Sequence, residues 1–148
     1  MLIVSISLIV STLFVASCSY TDITNDKVSS SLLMQINLRM EQITEPSTER
    51  LETMKRLGMA VDNLEIQRIF IHLSQELNQT QVEELQAMGM TLYLDSWITP
   101  VGAHPTGFIT ADMPVSKLKE VAEKDYVMKL ETAEQMLGPQ NGSQPQIE

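Results

Sequence analysis

The chain has 148 residues, a formal net charge of −9 at neutral pH and a single cysteine, Cys18. This acidic balance argues against binding to nucleic acid, whose phosphates reward clustered Lys and Arg side chains. A single cysteine excludes an intramolecular disulfide, so an exported domain of this chain must be stabilised by packing alone. The length suits one domain with a modest core and some appendages.

The N-terminal segment has the features of an export signal. Residues 1–17 contain no charged side chain and run as apolar and small residues into Val15-Ala16-Ser17-Cys18. These last four residues resemble the lipobox of bacterial lipoprotein signals, in which the cysteine is lipidated and becomes the mature N-terminus. No Lys or Arg precedes the apolar run, unlike in most signals. We expect a signal peptide at 1–17, a lipid on Cys18 and a location in the cell envelope. The alternatives are a cleaved signal without lipid and an uncleaved anchor, since the run is at the short limit for a bilayer span.

A tether and a helical extension follow the signal. Residues 18–31 are mostly polar, as in a tether, and residues 32–65 form the extension. An amphipathic helix is predicted from about Lys27 to Ile43, because apolar residues recur there at every fourth position. A second, shorter helix has Ser47 as its N-cap and Gly58 as its stop.

Residues 66–131 are the main domain, because only there does the hydrophobic rhythm change in the order strand, helix, strand, strand, helix, strand. In chain order the segments are IQRIFIHL, LNQTQVEELQAMGM, MTLYLDSWI, GFITADM, PVSKLKEVAEK and YVMKLE. A β-α-β-β-α-β order is that of a ferredoxin-like fold. We therefore predict an α+β protein with a four-stranded antiparallel sheet, two helices on one face of it and an N-terminal helical extension.

Alternation along the strands separates two faces of the predicted sheet. The residues assigned to the helix-covered face are Ile69, Ile71, Leu73, Leu92, Leu94, Ile109 and Ala111. The residues assigned to the open face are Phe70, His72, Tyr93, Trp97 and Phe108. An exposed patch of this kind is too large for an ordinary monomer surface and usually binds something. Two alternatives are that the helix predicted at residues 27–43 folds over this face, and that the face pairs with itself in a homodimer.

The runs IFIHLSQELNQTQVEELQAMGMTLY and GFITADMPVSKLKEVAEKDYVMKLE resemble the propeptide-type inhibitor domain of subtilisin-like serine proteases. Three features carry the resemblance: an acidic, Leu-rich helix that ends in Met-Gly-Met, a third strand that runs into Met113-Pro114, and the hydrophobic ending from Tyr126 to Glu131. The resemblance implies that the open sheet face packs on two surface helices of a protease. It also implies that the segment after the last strand lies in the protease cleft like a product. The partner-binding residues so implied are Phe70, His72, Tyr93, Trp97, Phe108, Met136 and Leu137.

No motif in the sequence indicates an active site, a cofactor or a metal. The chain has no GxSxG, HExxH, CxxC, phosphate-binding glycine loop or EF-hand spacing. We interpret His72 as a sheet histidine and His104 as a loop residue, since two distant histidines do not make a metal site. Residues 132–148 contain Gly138-Pro139, Asn141-Gly142 and Pro145 and are expected to form a flexible tail. We therefore expect a binding protein and not an enzyme.

The sequence favours an exported protein that inhibits a subtilisin-like protease or assists its folding, attached to the membrane through Cys18. Its open sheet face would dock on the enzyme and its tail would block the cleft. Because no protease domain follows, we do not expect a cleaved pro-region unless its enzyme is encoded separately. The alternative is an envelope structural or adaptor lipoprotein that retains only the fold of the inhibitor family.

Overall fold

A computed structural model describes residues 26–134 of the chain. The elements, in chain order, are α1 (Ser30–Thr44), α2 (Thr48–Arg56), β1 (Ile66–Leu73), α3 (Gln79–Ala87), β2 (Thr91–Ile98), β3 (Gly107–Pro114), a 3-10 turn (Val115–Lys117), α4 (Leu118–Ala122) and β4 (Val127–Thr132). Both predicted N-terminal helices are present, within three residues of their expected ends. Within residues 26–134, no helix is long and apolar enough to cross a bilayer. The predicted signal peptide, Cys18, Met136 and Leu137 lie outside the described residues.

The four strands form one antiparallel sheet in the order β2-β3-β1-β4. Strand β1 is therefore central and pairs with both β3 and β4. Since each neighbouring pair is antiparallel, β1 and β2 run parallel with β3 inserted between them, and β3 and β4 run parallel with β1 between them. The predicted α+β class and the four-stranded antiparallel sheet are confirmed.

The core lies between one sheet face and the helices. Alternate residues of β1 and β3 point into it and are almost fully buried, as the period of two predicts. The helices contribute Leu85 from α3 and Leu118 and Val121 from α4 to the same cluster. Fully burying such a side chain contributes about 1.5–3 kcal/mol. Helix α3 begins with a capping box, in which Asn78 and Gln81 bond to each other's backbone amides.

Helix α1 belongs to this same core. Its Leu32 and Ile36 are fully buried against the cluster that contains the inward residues of β1 and β3. Just before α1, Val28 forms a parallel bridge with Leu130, which places residues 27–29 beside β4. Three helices thus cover one sheet face, where two were predicted. Because α1 packs on the covered face, the alternative in which it folds over the open face is excluded.

Strand β2 contains an irregularity that changes the face of its last residues. Tyr93 pairs with Thr110 and Ile98 pairs with Phe108, so five steps along β2 oppose two steps along β3. The three extra steps reverse the alternation, as an odd bulge must. The Ser96 hydroxyl fills the gap, because it donates to the Tyr93 carbonyl and accepts from the Thr110 amide.

The prediction that Trp97 lies on the open face is therefore wrong. Its neighbour Ile98 shares the face of Phe108, so the indole points to the other side and packs against the core cluster. Gly107 makes this possible, because the ring occupies space that a β-carbon at this position would need. Leu94, expected in the core, falls inside the irregular stretch and is 43% exposed.

Candidate docking face

The open face of the sheet is the face opposite the helices. The strand pairing assigns to it Arg68, Phe70 and His72 of β1, Tyr93 and Ile98 of β2, Phe108, Thr110 and Asp112 of β3, and Lys129 and Glu131 of β4. Four of the five side chains expected there are brought together by the structure, and Trp97 is replaced by Ile98. Ile98 is 49% exposed.

Aromatic rings occupy the middle of the open face. The rings of Phe70 and Phe108 meet edge to face, with 5.0 Å between centroids and 65° between planes. The ring of His72 lies 5.6 Å from that of Phe108. All three side chains are partly exposed. Edge-to-face packing holds the rings in one arrangement before any partner arrives, and a rigid aromatic cluster is a common anchor of protein interfaces.

An ion pair closes one end of the open face, near the start of β1. Arg68 binds Asp112 through two hydrogen bonds of 2.7 and 3.0 Å, and the Tyr93 hydroxyl donates to the same carboxylate at 2.7 Å. The Arg68 guanidinium also lies 5.4 Å from the centroid of the Tyr93 ring. Hydrogen bonding by Arg68 lowers the pKa of Asp112 below its ordinary value. The carboxylate therefore stays charged at physiological pH and fixes the tyrosine ring.

A second charged group lies across β1 and β4 at the other end. Glu131 contacts the Lys129 ammonium at 2.6 Å and the His72 ring nitrogen Nε2 at 3.0 Å. The hydrogen bond from Lys129 is the main reason why the pKa of Glu131 is lowered, and the contact with His72 adds to it. The open face therefore consists of an apolar aromatic centre with charged, mutually paired groups at both ends. Such a layout suits recognition of a protein surface.

The C-terminal end of β4 is adjacent to this face. After Thr132, the Ala133 amide donates to the Arg68 carbonyl, so pairing with β1 continues past the strand. Glu134 then lines a cavity of about 360 Å³ together with Arg68 and Asp112 of the open face. The last described residues, Ala133 and Glu134, therefore lie at the Arg68 end of the sheet.

Sequence reasoning missed part of the site for two different reasons. Arg68, Asp112 and Glu131 could have been assigned to the open face, because they share the strand alternation of Phe70 and Phe108. Ile98 could not, because its face depends on the irregularity in β2. Among the described residues, no cluster of three or more acidic, histidine or cysteine side chains is placed to hold a metal ion.

The chain was also compared with known proteins. No family model matches it, and no curated protein or solved structure is significantly similar to it.

Proposed function

We propose that this protein is an exported, lipid-anchored binding protein that inhibits a subtilisin-like protease or assists its folding. In this proposal the open face docks on the enzyme and residues 135–148 enter its cleft. Cys18 carries the lipid, and the chain itself performs no chemistry on its partner. The observation that carries the proposal is the partly exposed aromatic centre of a sheet whose other face is already covered by three helices.

We also propose that the domain is ferredoxin-like. Its elements follow the order β-α-β-β-α-β from Ile66 onward, preceded by α1 and α2. Read from its other edge, the sheet order is β4-β1-β3-β2. The parallel strands β3 and β4 are separated by β1, and the parallel strands β1 and β2 are separated by β3. Both helix connections lie over the same face. These features support the split βαβ arrangement.

The position of the C-terminal end supports a two-part interface. A protein that both docks by a sheet and fills a cleft needs the tail to start beside the docking surface. Glu134 lies with Arg68 and Asp112 around one cavity, while its carboxylate binds Arg39 of α1, so the described chain ends at the Arg68 end of the sheet. In this proposal, a partner that covers the aromatic centre also contacts Met136 and Leu137, which follow Glu134 by two and three residues in the chain.

The proposal is tested with purified residues 19–148, which include every described residue, against a panel of subtilisin-like proteases. Inhibition constants are measured, and the products are followed by mass spectrometry. We expect inhibition at micromolar concentration or below, with slow or absent cleavage of the chain. Deletion of residues 135–148 should abolish inhibition, because it removes the cleft-binding segment and none of the described residues.

The open face is tested in the same assay by Phe108→Ala. Truncating a central aromatic anchor costs about 2 kcal/mol or more of binding, which raises the inhibition constant about 30-fold. Val101→Ala is the matched control, because Val101 is an exposed apolar residue in the β2–β3 loop and outside the open face. If the chain is rapidly degraded and inhibits none of the proteases, the proposal is refuted, and an envelope adaptor that retains only the fold is favoured. Concentration-dependent dimers that Phe108→Ala abolishes would instead assign the face to a homodimer.

A further inference from the structure

A buried charged side chain joins the first helix to the last described residues. Arg39 of α1 is completely buried, and its guanidinium binds the Glu134 carboxylate through two hydrogen bonds of 2.7 and 2.9 Å. Its remaining donors reach the Gln67 side chain of β1 at 2.8 Å and the Asn63 carbonyl at 3.0 Å. Glu134 is itself only 12% exposed. A bidentate arginine–carboxylate pair fixes both the distance and the orientation of its partners.

The polar network extends beyond this pair. Gln67 donates to the Gln35 side-chain oxygen at 2.9 Å, and the Thr132 hydroxyl binds the same oxygen. The Glu134 amide donates to the Thr132 hydroxyl at 3.1 Å. Residues 132–134 are therefore held from three sides, by α1, by β1 and by their own backbone.

This arrangement is not the most stabilising way to fill the space. A buried ion pair often contributes less than apolar residues of the same volume would. In addition, the Gln35 side-chain nitrogen is buried and has no hydrogen-bond partner among the described residues. An unpaired buried donor is unfavourable. What the network does provide is a unique geometry at the point where the chain leaves the sheet.

We infer that Arg39 is a positioning residue for the C-terminal segment. From the N-terminal helix it fixes Glu134, and so sets the point from which residues 135–148 continue. The N-terminal helix is then part of the binding device, because Arg39 of α1 supplies two hydrogen bonds to the Glu134 carboxylate. The inference rests on the proposed function only for what residues 135–148 bind, namely a protease cleft. Its position can be measured without any protease.

The test replaces both partners with apolar residues of similar length, Arg39→Met together with Glu134→Met, so that no unpaired charge is left buried. Spin labels are placed on cysteines introduced by Met136→Cys and by Gln86→Cys on the exposed side of α3. Residues 19–148 contain no other cysteine. We expect a narrow distance distribution in the parent protein and a broad one in the double methionine variant. The variant is measured at a temperature where its melting curve shows it to be folded, because Arg39→Met also removes the hydrogen bond to the Gln67 side chain. A contact that serves stability alone would leave the distribution narrow.

The same variant should raise the inhibition constant about tenfold, because a segment that is no longer preorganised loses conformational freedom on binding. The matched control is Lys117→Met with Glu120→Met, which removes a surface ion pair of 2.7 Å and should change neither result. A broad distribution in the parent, or a narrow one in the folded double variant, overturns the inference.

If the double methionine variant does not fold, Glu134→Asp is measured in its place. Its shorter side chain keeps the charge but reaches Arg39 only if the backbone moves, so an unchanged distribution again overturns the inference. Broadening without inhibition by any form of the protein would leave the positioning role standing and refute the proposed function.

Discussion

Replacement of Gly107 by alanine tests the least expected part of the fold, the approach of β2 to the start of β3. A β-carbon at this position would lie 2.6 Å from Cη2 of Trp97 and would also collide with the Ile98 carbonyl oxygen. Carbon atoms in contact are ordinarily 3.5–4.0 Å apart. The indole would therefore have to retreat by about 1 Å, and the backbone of an edge strand would have to shift with it.

The size of the effect follows from these two collisions. Overpacking a well-packed site costs about 1–3 kcal/mol, and we expect the upper end because one of the two colliding groups is backbone. Reduced freedom of the unfolded chain returns about 0.4–1 kcal/mol when alanine replaces glycine. The net loss for Gly107→Ala is then about 2 kcal/mol in the free energy of unfolding, or roughly 10 °C in the melting temperature.

Urea unfolding followed by far-UV circular dichroism measures this loss. Tryptophan fluorescence is unsuitable, because Trp97 itself is displaced by the substitution. Gly102→Ala is the matched control: its φ of 63° favours glycine, but nothing lies within 4 Å of the added carbon, so backbone strain alone should cost about 1 kcal/mol. If Gly107→Ala is as stable as the parent protein, the indole does not pack against Gly107. The irregular pairing of β2 with β3 described above would then be refuted.

Two further predictions concern the open face and helix α3. The hydrogen bond from Arg68 lowers the pKa of Asp112 in the folded protein below its ordinary value of 3.8. The ion pair therefore contributes its full stabilisation at pH values above 3.8, and this contribution is lost as the pH falls through the lower pKa of the folded state. The stability difference between parent and Arg68→Met should therefore shrink between about pH 6 and pH 2 in urea titrations, and a constant difference would contradict this. Asn78→Ala should lower the free energy of unfolding by about 1 kcal/mol, since it removes the cap of α3. Asn78→Ser, which can still cap, should recover most of that loss.

Local rules were sufficient for most of the fold. The period of two in β1 and β3 identified the buried residues, and an Asn followed three residues later by a Gln, as at Asn78 and Gln81, is typical of a helix start. These features depend on neighbours in the chain, so they are readable from it. The length of α1 was also predictable, because Pro46 and the apolar spacing limit it.

The remaining features depend on contacts between distant residues. Alternation in β2 fails after Tyr93 because a serine hydroxyl replaces a backbone group in the ladder with β3, and nothing in the sequence of β2 announces this. The same holds for Arg39, which looks like an exposed charge on an amphipathic helix. Its burial requires Glu134, a residue 95 positions away. Long-range polar pairs of this kind are invisible to periodicity.

Trp97 and Phe108 were both predicted to bind a partner, but they lie on opposite faces of the sheet and have different roles. Trp97 packs against the core, whereas Phe108 is partly exposed at the centre of the open face. Trp97→Ala should therefore lower the free energy of unfolding by about 3 kcal/mol, at the low end for a large aromatic side chain because it is only half-buried. Where Trp97→Ala remains folded, its affinity for a partner of the open face should change little.

Phe108→Ala should show the reverse, with a small loss of stability and a large loss of binding. Measuring urea unfolding and partner binding on both variants distinguishes the two roles. Weaker binding in both variants in proportion to their lost stability would mean that the two rings act through the same surface. The pairing of Ile98 with Phe108 that assigns them to opposite faces would then be wrong.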